Sequence, residues 1–408
     1  MKSIEANTIR KNEVTPLVVW ATILYIFIAI GRIQEYIPIN LYLGKIFGIL
    51  MILAFILHSG QKNRVTLRES PEIISISGIL LFAFLSVPFG VWPGASVDFI
   101  INAYVKNFIL CFILAYILVT PNQIYKTGFT LIISSSILAV IGFVNRTGIT
   151  RIRASTFYDP NDFAFLLVCV LPFVIFNSFK EKGMKKVFLL LSASLMITVI
   201  ILTRSRGGFI GLLVIGAVIL FKTIKKSKGL AGFILLIFLA VFTFATPSGY
   251  WERMETIVEP GDDYNIYSPS GRIEVWKRGI KLITKNPITG IGIGNFATAE
   301  GSSREDTGRQ KEPWKTAHNS FIQIGGELGI GGLFLFVLLI YNLLKTLRKI
   351  KSTDLSINTL RDSLEVSLIG YVTGGFFLSQ AYGTVIYFLT GMTIALKYVV
   401  KRSDLNHV

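Results

Sequence analysis

The sequence predicts an all-α, polytopic membrane protein of about twelve transmembrane helices with one large extracytoplasmic loop, at about 20 residues per span. Three observations carry this. The 408 residues are 52% hydrophobic but only 16% charged, with a mean hydropathy of +0.61. Soluble domains carry about 25% charged residues. The deficit removes the polar surface that a soluble enzyme of this size needs, and it excludes disordered and fibrous chains as well. Apolar runs of near-bilayer length recur along the chain, separated by short polar stretches. Only residues 246–318 form a long hydrophilic segment. The chain 1–408 therefore reads as a single membrane domain, with 246–318 inserted between spans nine and ten.

In order, the apolar runs place spans at 15–31, 37–57, 73–90, 107–119, 127–144, 162–179, 187–203, 207–221, 229–245, 319–344, 363–379 and 381–399. Runs 107–119 and 207–221 are short and lean on their flanks. Residues 91–106 read as an interfacial amphipathic piece, with Trp92 at headgroup level. Asp159 and Asn161 are cap formers, and Pro160 suits a first helical turn. Cys111 and Cys169 lie inside apolar runs, where no disulfide is expected. The first run lacks a small-residue cleavage pattern and is followed by more spans, so no cleavable signal peptide is expected.

Net charge is +17. On a soluble protein this would suggest nucleic acid. Here Lys and Arg sit in short loops between apolar runs, as cytoplasmic loops require, and no nucleic-acid partner is expected. With the N-terminus inside, the inner segments hold 23 Lys/Arg and the short outer loops 7. Both ends are then cytoplasmic and 246–318 faces outward. Thiol labelling of intact cells should succeed for Ser302→Cys and fail for Ser227→Cys; the reverse pattern would overturn this orientation.

Two outer clusters run against the charge bias: Arg146, Arg151 and Arg153, then Arg204 and Arg206. The task that arginine suits best is bidentate binding of phosphate. The second cluster, Thr203-Arg204-Ser205-Arg206-Gly207-Gly208, is a tight turn. Its glycines allow a ligand close to the backbone, and free N–H groups at the next helix start favour an anion. The bland alternative for both clusters is arginine snorkelling to headgroups around capped helices. In the long loop, Ser270-Gly271-Arg272, with Trp276, reads as a helix start. Gly290-Ile-Gly292-Ile-Gly294-Asn295-Phe296 superficially resembles a dinucleotide motif, but no strand precedes it, and it is taken as a turn. Of three histidines, only His318, in His318-Asn319-Ser320-Phe321, lies at the outer interface. Glu327, inside a span, is a functional candidate by default, with arginine pairing or capping of a broken helix as its bland role. No metal site is apparent, since histidines are few and no thiolate pair exists.

These residues carry a resemblance. Thr203-Arg-Ser-Arg-Gly-Gly, Ser270-Gly-Arg272 with Trp276, Gly290-Ile-Gly-Ile-Gly-Asn-Phe, and His318-Asn-Ser-Phe followed by Glu327-Leu-Gly-Ile-Gly resemble the O-antigen ligase and O-antigen polymerase superfamily of envelope membrane proteins. The match covers about residues 150–340 by motif and the whole chain by span layout. The resemblance implies a GT-C-like, multi-pass glycosyltransferase of the cell (inner) membrane, with its active site facing the periplasm or exterior. It implies a glycan donor on a polyprenyl (undecaprenyl) diphosphate, a glycan or lipid-core acceptor, no cofactor, and a place in lipopolysaccharide or other polysaccharide biosynthesis. Arg206, Arg272 and His318 are the implied functional positions, with Arg153 a weaker one. In such a mechanism the arginines take up charge developing on the leaving diphosphate, in place of a metal. His318 takes the proton of the acceptor hydroxyl, and direct attack inverts the anomeric centre. Arg151, Arg204 and Glu327 are placed with Arg153 as substrate contacts. Trp276, Trp314 and Tyr264 are candidates for stacking on sugars.

Two other classes compete. A flippase for lipid-linked oligosaccharide would carry midplane ionisable residues and inverted repeats, whereas only Glu327 is buried in a span and no repeat is visible. A non-catalytic envelope assembly protein gives no reason for arginines in the 203–208 turn.

Overall fold

The computed structural model describes residues 16–32, 42–58, 70–146, 151–153, 158–224, 250–255, 271–305 and 314–405, with isolated positions 35, 228, 229, 232, 235, 236, 243 and 246. Among these there is no strand. The helices are α1 (Pro16–Gly31), α2 (Leu43–His58), α3 (Pro71–Ser86), α4 (Pro93–Phe99), α5 (Val105–Ile117), α6 (Pro121–Val144), α7 (Pro160–Lys180), α8 (Gly183–Leu202) and α9 (Arg206–Ile224). They continue with α10 (Tyr250–Glu255), α11 (Arg272–Lys285), α12 (Phe296–Glu305), α13 (Ser320–Lys349), α14 (Leu355–Gly375) and α15 (Thr384–Leu405). Proline opens α3, α4, α6 and α7, where its missing N–H has no partner to lose. Thr120 and Gln123 add a reciprocal capping box to α6.

Eight of the described helices are long and apolar enough to cross a membrane, and α1 and α2 are apolar but shorter. The protein is thus a polytopic helical membrane protein. The expected span 229–245 lies largely outside the described residues. Two local expectations change. Residues 93–117 form one helical run, because α4 passes through a π turn at Ile100–Tyr104 into α5. The piece read as interfacial holds no residue after Gly94 that would stop a helix, so it joins the span. The run 363–379 is not helical to its end: α14 stops at Gly375, and 376–383 form a connection before α15. Its apolar residues Phe376, Phe377 and Leu378 look like span continuation in sequence.

α7 is the centre of the fold. It packs against α6, α8, α9 and α14, and its buried residues lie on all sides. Around it, α13 packs on α3 and α15 on α5. Charge inside α14 is paired. Lys222, at the end of α9, reaches Asp362 at 3.0 Å and Glu365 at 2.6 Å, and Arg348 reaches Glu365 at 3.0 Å. Glu365, inside the expected span 363–379, is therefore a buried charge in addition to Glu327, and buried ionisable groups in a bundle need such partners. This network sits at the far end of α9 from Arg206, about 24 Å away at 1.5 Å per residue.

α13 is broken at Gly329 (φ 71°, ψ −171°). The break frees Gly326 O and Glu327 O, which accept the N–H groups of Ile291 (3.0 Å) and Gly292 (3.1 Å), while Ile330 N donates to Pro287 O at 2.8 Å. The glycine-rich turn therefore docks into the broken helix and satisfies its backbone, which a low-dielectric bundle demands. At Gly290 (φ 68°) a Cβ would fall 2.2 Å from Glu327 O, so no side chain fits.

A candidate anion-binding active site

Four helix starts are brought together, each for a local reason. Asp159 caps α7 by accepting from Asn161 N (2.6 Å) and Asp162 N (2.9 Å). Ser205 Oγ accepts from Gly208 N at 3.2 Å and opens α9. α11 begins at Arg272 after Gly271, with no side-chain cap. Asn319 Oδ1 accepts from Phe321 N (2.9 Å) and Ile322 N (3.1 Å) at the start of α13. A single cleft is lined by Asn161, Ser205, Gly207, Gly208, Arg272, Phe377 and Leu378, so α7, α9 and α11 all open onto it. α13 is tied to the same place, because Ser320 Oγ donates to Leu378 O at 2.7 Å and Asn319 Nδ2 to Phe376 O at 3.2 Å. A Cβ at Gly208 would lie 2.6 Å from Ala164 Cβ, so glycine lets α9 start hard against α7.

Arg206 and Arg272 each occupy the first residue of a helix. Helix N-termini carry partial positive charge and favour acidic residues there, by about 0.3–1 kcal/mol. Two arginines are thus set against the helix dipole at two starts whose residues share one cleft. Arg206 lies between the lining residues Ser205 and Gly207; Arg272 lines the cleft itself.

The other arginines separate by contact. Arg151 Nε donates to Thr203 O at 2.9 Å and its Nη2 to Asn161 Oδ1 at 2.8 Å, which ties the α7 start to the 203–208 turn. Arg204 adopts φ 52° in that turn and is half-buried. Arg153 is exposed and is not among the lining residues.

His318 lies in a strap just before α13, with φ 46°, a left-handed backbone rare for a non-glycine residue. Trp276 Nε1 donates to Ala317 O at 3.1 Å, so its indole N–H holds the strap. Burial, with Arg272 and Lys315 nearby, pushes the His318 imidazole down to about 4, against a smaller upward pull from Asp159. The histidine thus feels both the α11 start and the α7 cap, and it is neutral at pH 7. Reading its pKa as near neutral from residue type alone misses the field of Arg272.

Glu327 is buried in α13 (2% exposed), and its Oε1 accepts from Phe296 N at 3.1 Å, capping α12. Its contacts are those of the glycine turn. Trp314 is 52% exposed, and Tyr264 lies outside the described residues. Among the described residues, no group of three or more His, Cys, Asp or Glu is placed to hold a metal ion. Asn161 and Ser205 stand inside motifs that the sequence marks as turns, but Phe377 and Leu378 carry no signal that separates them from a span.

Residues 191–337 match the family described as O-Antigen ligase, a stretch that includes Arg206, Arg272, His318 and Glu327. Over this stretch the chain is similar to the O-antigen ligase family. Arg151 and Arg153 lie outside it. The chain is 30% identical over 125 residues to a protein of Rickettsia felis named as a candidate polysaccharide ligase, an overlap of 28% of this chain and 31% of that one. It is 27% identical over 125 residues to a similarly named protein of Rickettsia conorii, covering 28% and 30%. The chain spans less than a third of the length of these curated relatives. The matching stretch holds three of the four converging helix starts, those of α9, α11 and α13.

Proposed function

We propose that the protein is an inverting, metal-independent glycosyltransferase, which moves a glycan from a polyprenyl diphosphate to a sugar hydroxyl on the outer face of the cell membrane. The observation that carries this reading is that Arg272, at one helix start, lines the same cleft as Ser205 and Gly207, the residues on either side of Arg206 at another helix start. A diphosphate leaving group is the anion that such a pocket suits, because fixed cations and helix dipoles stabilise charge as it develops.

In the proposed step, an acceptor hydroxyl oxygen bonds to the anomeric carbon while the bond from that carbon to the diphosphate oxygen breaks. The electron pair of the broken bond leaves on the lipid diphosphate, beside Arg272 and Arg206. The hydroxyl proton passes to the imidazole of His318, which is neutral and can accept it. Seating the donor places negative charge next to Arg272 and offsets that cation's share in lowering the His318 pKa, which comes second to burial, so the base strengthens when the donor arrives. Arg151 acts through Asn161 and Thr203, keeping two helix starts in register. The donor's lipid tail lies along the apolar helices. Ligation to a lipid core and polymerisation of repeat units are both instances of this step.

The test is incubation of purified protein with a polyprenyl-diphosphate-linked oligosaccharide and candidate acceptors, with products resolved by gel and mass spectrometry. Transfer should persist in strong chelator. Activity lost in chelator and restored by magnesium or manganese would show that arginine does not supply the charge. Donor movement across the bilayer with no new glycosidic bond would favour a flippase instead.

A further inference from the structure

We infer that Glu300 is a positioning residue that ties the strap carrying His318 to α11, the helix that Arg272 begins; the transferase reading above is needed only for the activity arm of its test. Glu300 lies on α12 and is fully buried (0% exposed), yet both of its oxygens are engaged. Oε1 accepts from Arg278, from Nε at 3.0 Å and from Nη2 at 2.8 Å. Oε2 accepts the backbone N–H of Lys315 at 3.0 Å. Arg278 belongs to α11, the helix that begins with Arg272. Lys315 belongs to the strap that leads to His318. One buried carboxylate therefore links the helix carrying the candidate phosphate-binding arginine to the segment carrying the candidate base. A small core of Val275, Phe296 and Ala317 fills the space between them.

The backbone of His318 explains why such a link is needed. A non-glycine residue in the left-handed region persists only where its surroundings over-determine it. The strap is anchored by Lys315 N on Glu300, by Ala317 O on the Trp276 indole, and after His318 by the Asn319 cap. Removing the Glu300 carboxylate releases the first anchor and leaves Arg278 without this partner. The strap then relaxes toward an ordinary backbone, and the imidazole of His318 loses its fixed place relative to α11.

An Ala317→Cys reporter tests this without any assay of function. Ala317 is 0% exposed, and both native cysteines are buried, so background labelling is low. The reporter thiol should react slowly in the otherwise native chain, and Glu300→Ala should speed it by about tenfold as the local opening becomes easier. In transfer assays, Glu300→Ala should lower kcat by about 10²-fold, the scale of a misplaced catalytic group. Donor KM should stay within about threefold, since Arg206 and Arg272 keep their helix starts. Arg278→Gln leaves the Lys315 contact in place and should cost less in kcat than Glu300→Ala. Should Glu300→Ala not fold, Glu300→Gln, which keeps an acceptor for Lys315 N–H but loses the charge, carries the same comparison at smaller amplitude. Unchanged labelling with unchanged kcat, or kcat and KM worsening together in both variants, would overturn the inference. Should the native chain show no transfer at all, the proposed function fails and the labelling arm alone decides the role of Glu300.

Discussion

Arg272→Ala and Arg206→Ala are each expected to leave the protein inserted and folded but nearly inactive. Both residues start helices, and neither fills the buried core. Loss of one preorganised charge-stabilising donor costs about 10²–10³ in rate. Lysine keeps the charge but loses the planar fork that holds two phosphate oxygens. Arg206→Lys and Arg272→Lys should therefore recover only part of the loss. Turnover and donor retention, measured on detergent-purified protein of native elution volume, check this. An alanine variant at either position that turns over like the native chain would remove that arginine from the mechanism.

The second large effect concerns His318. His318→Ala should lose about 10²–10⁴ in turnover, the range for a positioned general base, while still retaining the lipid-linked donor. The pH dependence carries the sharper test. Burial first, and then Arg272 and Lys315, push the His318 pKa down to about 4, below its ordinary value. The imidazole thus stays neutral, and able to accept a proton, until the pH falls to that region. The acid limb of kcat/KM, which reports the free enzyme, should fall near pH 4, well below the 6.5 of an ordinary histidine. The limb of kcat, which reports the donor complex, should lie at higher pH, because a bound diphosphate offsets the positive charge of Arg272. Arg272→Ala removes a cation that lowers the pKa and should move the residual acid limb upward. A kcat/KM limb near 6.5 in the native chain, or a downward shift in Arg272→Ala, would contradict this account of the site's field.

Much of this molecule is legible from residue types and spacing. Low charge and recurring apolar runs require helices in a bilayer, since only helices or closed barrels satisfy the backbone there. The helix start at Pro160 and its cap at Asp159 follow from local rules. The misjudged stretches are those where local pattern is silent. Phe376, Phe377 and Leu378 are as apolar as a span, and only contacts of this stretch with Asn319 and Ser320 mark it as a wall of the site.

By itself, the sequence determined the membrane class and marked the arginines and the histidine as candidates, because hydropathy and charge are local properties. Only the tertiary structure decided which of these share a cleft. Arg272 meets the Ser205–Gly208 turn, Arg151 braces Asn161 and Thr203, and Glu327 caps α12 beside the glycine turn. The electrostatics of His318 were decided there too, since its low pKa comes from burial and from Arg272. The physical reason is common to all of these. Burial, charge neighbours and hydrogen-bond partners arise from contacts between segments remote in sequence, and no local periodicity encodes them.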